Sequence, residues 1–94
     1  MTRLADRLIH GEGGALLMRL DGLADALGLE APAARLFEEC AREQLQEGGA
    51  DAIASGLLNA DWVRGALAQL ELNGLAERGS YALLTATVNA SPQN

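Results

Sequence analysis

The chain has 94 residues, enough for one domain but not for a large core: at such a length only about 60–65% of the unfolded chain's surface is buried. Apolar residues make up 49%, yet the aromatics are one Phe, one Trp and one Tyr, so the interior must be built from leucine and alanine, both strong helix formers. Thirteen acidic residues against seven arginines and no lysine give a net charge of −6, which repels nucleic acid and anionic membranes at long range.

No stretch approaches the roughly 18 uncharged apolar residues that a membrane span needs. The start, charged at Arg3, Asp6 and Arg7, lacks the apolar run of about 7–15 residues that marks a signal peptide. Cys40 is the single cysteine and has no disulfide partner in the chain, so a reducing cytoplasm is the expected location. A lysine-free, alanine-rich composition is associated with GC-rich bacterial genomes and their phages.

In chain order, Thr2 to His10 reads as a short helix, with Thr2 as cap, Leu4 and Leu8 on one face and Gly11 as its end. Gly11-Glu12-Gly13-Gly14 reads as a hinge. It lacks the following Lys-Ser/Thr of a phosphate-cradling loop, and Glu12 would repel phosphate. From Ala15 onward, Leu16, Leu20, Leu23 and Leu27 recur at steps of four, three and four, one stripe of an α-helix, and Gly28 stands at its left-handed cap. Pro32 suits the first turn of the next helix. Ala33, Leu36, Phe37, Cys40, Ala41 and Gln44 or Leu45 trace the inner face of that helix. Glu38, Glu39, Arg42, Glu43 and Glu47 trace its wet face, and Gly48-Gly49 terminate it.

A short helix follows from about Asp51 to Leu57, with Ile53 and Leu57 turned inward. Asn59 is placed to cap a longer helix reaching Leu72 or Asn73, with Asp61 in its first turn and Val63, Leu67 and Leu70 as its buried stripe. Gly74 closes it. Beyond Gly74 the period changes to two: Leu75-Ala76-Glu77 reads as a strand, Arg78-Gly79-Ser80 as a turn, and Tyr81 to Val88 as the returning strand. The polar tail, Asn89 to Asn94, is expected to be disordered.

The expected fold class is therefore mainly α with a small β-hairpin, in a single domain. Ala54-Ser55-Gly56-Leu57-Leu58-Asn59-Ala60-Asp61-Trp62-Val63, then Leu67, Leu70-Glu71-Leu72, Gly74-Leu75 and Gly79-Ser80-Tyr81 resemble a winged helix-turn-helix, in particular the C-terminal winged-helix domain of the bacterial DNA-processing protein DprA. The resemblance covers about residues 48–88. It implies a winged helix over 29–88, with residues 1–28 as an added helical extension suited to dimer contacts. Gly56 to Val63 is one residue longer than the commonest spacing in that pattern, so the turn is widened or the third helix begins earlier.

The resemblance implies that the helix from Asn59 to Asn73 would enter the major groove of DNA. Phosphate anchoring needs cations, about 6–10 contacts in a typical interface. This helix has Arg64 alone, against Asp61 and Glu71, and the wing has Arg78 against Glu77. Charge thus favours a more basic protein partner: the expected function is that of a small acidic regulator, adaptor or inhibitor acting by protein–protein interaction. Inhibitors of nucleic-acid machines encoded by phages or mobile elements, anti-CRISPR proteins among them, fall in this class. The alternative is a dimeric transcriptional regulator that reads DNA with helix 59–73. A homodimer is expected in either case.

The contact residues expected are Trp62, Arg64, Glu71, Arg78 and Tyr81. Trp62 reads either as a partly buried core residue or as a binding anchor. No catalytic, cofactor or metal site is expected. His10 and Cys40 are single, too few for a zinc site. Cys40 falls on the apolar stripe as a buried thiol, Glu38, Glu39 and Glu43 have the spacing of a solvated face, and Ser55, Ser80 and Ser91 have no base nearby.

Overall fold

The computed structural model describes residues 4–75 and 80–90. Its centre is a short strand, β2 (Leu16–Arg19), flanked by β1 (Leu8–His10) and β3 (Leu57–Asn59) in an antiparallel sheet of order β1-β2-β3. In register, Leu8 faces Met18 across the first pair, and Met18 faces Leu58 across the second. Side chains alternate across a sheet, so Leu8, Leu16, Met18 and Leu58 share the inward face. Met18 and Leu58 are almost completely buried there.

Among the described residues there are five α-helices: α1 (Leu23–Ala26), α2 (Ala31–Glu47), α3 (Ala50–Ser55), α4 (Ala60–Leu72) and α5 (Ser80–Ala90). Phe37, Ala33, Ala41 and Leu45 of α2 meet Val63, Leu67 and Leu70 of α4, Leu23 and Leu27, and Leu84 of α5 in one core. The molecule is thus mainly helical, with a small antiparallel sheet.

The expected helix stops are present with their mechanisms. Gly28 and Gly74 are left-handed, with φ of 73° and 71°. After each, the next residue's N–H reaches back to the carbonyl five positions earlier, Leu29 to Ala24 at 3.0 Å and Leu75 to Leu70 at 2.8 Å, the Schellman pattern. The Asn59 side chain accepts the Asp61 N–H at 2.8 Å and caps α4 as expected. Between α3 and α4, Gly56 ends α3 in the left-handed region and strand β3 follows directly.

Three expectations are corrected. The hairpin does not follow Gly74. It precedes the helices, as β1 and β2 joined through the Gly11–Ala15 loop, while Tyr81 to Val88 lies within α5. Leu83 and Leu84 are strong helix formers, and the segment is apolar on every side, so its alternation carried no real period. Thr87 fits the helix by donating its hydroxyl to the Leu83 carbonyl at 2.8 Å. Leu75 is in the α4 cap, and Ala76, Glu77, Arg78 and Gly79 lie outside the described residues.

Second, residues 1–28 are not a helical extension. Leu4–Arg7 forms a single 3₁₀ turn, β1 and β2 follow, and only Leu23–Ala26 is α-helical. Asp21-Gly22 interrupts the leucine stripe, because Gly22 has φ 71°. The two N-terminal strands belong to the same sheet as β3, so this segment is integral to the fold. Third, Asn89 and Ala90 belong to α5 and not to a tail; 91–94 lie outside the described residues.

Candidate functional site

The residues expected to contact a partner do not form one surface. Trp62 is half-buried on α4, its ring packed on Phe37 with centroids 6.0 Å apart. It belongs to the core along one side and lines a groove between α2 and α4 along the other. Arg64 lies elsewhere, in a 320 Å³ recess with Gly14, Ala15, Leu16 and Val88, and is ion-paired to Asp61 one turn earlier. Glu71 and Tyr81 meet where α4 adjoins α5: the Tyr81 N–H donates to Glu71 Oε1 at 3.5 Å. Arg78 lies outside the described residues.

The α2–α4 groove encloses about 520 Å³. Leu36, Cys40, Trp62, Gly65, Ala66 and Leu70 supply its apolar lining, Glu43 and Glu47 an acidic lip along α2, and Gln44, Gln69 and Asn73 uncharged amides. No cation lines it. Its shape follows from residue size: Gly65 and Ala66 project almost nothing from α4, and a Cβ added at Gly65 would meet nothing within 4 Å.

Sequence reasoning missed most of this groove because it made the inner face of α2 too wide. Only Ala33, Phe37, Ala41 and Leu45, a strict row at steps of four, are buried. Leu36, Cys40 and Gln44 are exposed on the groove side, so Cys40 is an accessible thiol and not a core one. Ile53, expected inward, is also exposed, and Leu57 is half-buried in β3. The available signal was the pair Gly65-Ala66 in the middle of α4.

A second cleft, of about 620 Å³, lies between α1, α2 and α3 and is lined by Asp21, Asp25, Glu38, Arg42 and Ile53, among others. Arg42 bonds Glu38 at 3.4 Å across one turn of α2, with both groups exposed. Among the described residues, no three His, Cys, Asp or Glu side chains come together as a metal site, and no helix is long and apolar enough to cross a membrane.

Comparison with protein-family models, with curated proteins and with solved structures finds no match.

Proposed function

We propose that this chain is a small acidic regulator, an adaptor or inhibitor, that acts by docking on a more basic protein. The observation carrying this reading is the disposition of the arginines. Arg64 is tied to Asp61, Arg42 to Glu38, and Arg7 to the Asp21 carbonyl. Arg19 ends β2, and Arg35 shares a face of α2 with Arg42, with Glu38 between them. Among the described residues these five cations are spread over four elements, and two of them, Arg42 and Arg64, are paired with an acid on their own helix. By contrast, Glu39, Glu43 and Glu47 succeed one another at steps of four along exposed α2, one continuous negative edge.

We read α2, α3 and α4 as the three helices of a helix-turn-helix, without the wing expected after Gly74. In that reading α4 is the would-be recognition helix. Its only arginine is neutralised within one turn, which counts against DNA as the ligand. We also propose a homodimer, through the uncharged outward side of α5.

Two measurements test the proposal. In mobility-shift titrations at about 50 mM salt, where phosphate contacts are strongest, the protein leaves DNA fragments unshifted. In affinity capture from the native host, a basic protein is retained by the wild type and lost with the Glu39→Lys/Glu43→Lys/Glu47→Lys variant. Salt-sensitive DNA binding abolished by Arg64→Ala would replace this reading with that of a transcriptional regulator.

A further inference from the structure

We infer that the α2–α4 groove receives one amphipathic helix of a protein partner, its apolar side chains seated on Trp62 and its lysines or arginines along Glu43 and Glu47. This inference rests on the acidic-docking reading above and assigns it a site and a class of ligand.

The charge of the groove selects the ligand. Among the described residues its lining holds two carboxylates and no cation, so a DNA strand or an acidic peptide is repelled and a basic one attracted. A second copy of this chain is a poor occupant, because its own α2 is acidic and its α5 carries no charge to meet Glu43 and Glu47. The apolar lining then demands a guest that is apolar along one side and basic along another.

Shape favours a helix. The groove runs between two helices whose facing positions are small at Gly65 and Ala66, which lets a third helix approach at the usual interaxial distance of about 8–10 Å. Among the described residues no strand lines it, so an extended peptide gains no main-chain pairing there. The acids stand on the α2 side only, and the α4 side offers the amides of Gln69 and Asn73. That asymmetry fixes the roll of the guest, with its basic edge over α2. Trp62 is already held by Phe37, so little ordering remains to be done on binding.

The single tryptophan and the single cysteine of the chain both line this groove, which makes the inference directly testable. The probe is a Leu/Lys amphipathic peptide of about 18 residues, long enough to be helical when bound, compared with a matching Leu/Glu peptide. The expected result is saturable binding of the Leu/Lys peptide, a change in Trp62 emission, and alkylation of Cys40 slowed about tenfold or more at saturation, while the Leu/Glu peptide has no effect. Gly65→Leu fills the groove without changing charge and is expected to weaken binding by at least about tenfold, as is Glu43→Lys/Glu47→Lys.

Binding that leaves Cys40 unprotected and is lost with Asp21→Lys/Asp25→Lys would overturn the groove assignment and move the docking site to the α1–α2–α3 cleft, with the acidic-docking reading intact. Binding indifferent to Gly65→Leu would also overturn the groove. Failure of the Leu/Lys peptide to bind at about 50 mM salt would overturn both the groove and the reading it rests on.

Discussion

Phe37 of α2 and Trp62 of α4 meet ring to ring, with centroids 6.0 Å apart and planes inclined by 43°. Phe37 is buried to 1% exposure, while Trp62 has one side in the core and the other in the groove, so the contact joins the stability of the fold to the shape of the candidate site. Phe37→Ala should destabilise the protein by about 3–5 kcal/mol, the usual cost of emptying a large aromatic site. Phe37→Leu leaves a smaller cavity, so it should cost less than Phe37→Ala and still remove the support of the Trp62 ring. Urea titrations give the first quantity. For the second, the expected outcome is a red-shifted emission maximum in a protein whose far-ultraviolet dichroism is unchanged.

Asn59 does two jobs in adjacent elements. It is the last residue of β3, opposite Leu17, and its side chain caps α4. Asn59→Ala should cost about 1 kcal/mol through the lost cap. Asn59→Asp keeps an acceptor at the same place and should cost much less, although Asp61 stands close by and offsets part of the benefit of a charge at the helix N-terminus. A midpoint in urea that moves equally for both variants would show that the strand, not the cap, sets the requirement.

The legible and illegible parts of this fold separate by the range of the interactions that make them. Helix α4 could be read to within a residue at each end, because Asn59, Asp61 and Gly74 act on their own backbone neighbours. The strands could not, since Leu16–Arg19 is held between Leu8–His10 and, about forty positions away, Leu57–Asn59, and its leucines also fit a helical stripe. Asp21-Gly22 was the local sign that the stripe is broken. The α5 segment failed for the opposite reason: with apolar or neutral residues at every position it fits a strand and a helix equally well. Of the candidate contact residues, Trp62 could be recognised as a groove residue by its chemistry, but the partners that form the groove with it come from α2, which no spacing within α4 reveals.

Gly22 is required for two reasons that can be measured separately. Its φ of 71° strains any residue with a Cβ, and that Cβ would lie 2.6 Å from Arg7 Nη2, where the guanidinium donates to the Asp21 carbonyl. Gly22→Ala should therefore cost about 1 kcal/mol for the backbone and about as much again for the displaced hydrogen bond. In the Arg7→Ala background only the backbone part remains, so a double-mutant cycle should give a coupling near 1 kcal/mol. A coupling of zero would mean that Arg7 moves aside without loss.

The end of α4 and the exposed side of α5 carry four of the six exposed large apolar residues among those described, and they bear on self-association. Of the exposed large apolar residues, Leu72, Leu75, Tyr81 and Leu83 lie at the end of α4 and in α5, with Leu72 at 80% and Leu83 at 50% exposure. The helix has no charged residue among Ser80–Ala90, in a protein whose net charge of −6 drives copies apart everywhere else. Two copies meeting along α5 avoid that repulsion and each supplies the neutral face the other needs, the self-complementary geometry of a two-fold dimer. An eleven-residue helix spans only about 16 Å, so the interface falls short of the roughly 800 Å² per partner of a standard complex, and the dimer should be weak, with a Kd on the order of tens of micromolar. Sedimentation velocity over a concentration series should show a monomer–dimer equilibrium for the wild type and a monomer throughout for Leu83→Glu, which alters an exposed position and leaves the core intact. Leu36→Glu, in the α2–α4 groove, should dimerise like the wild type. A wild type that stays monomeric at several hundred micromolar, well above the expected dissociation constant, would rule out this role for α5.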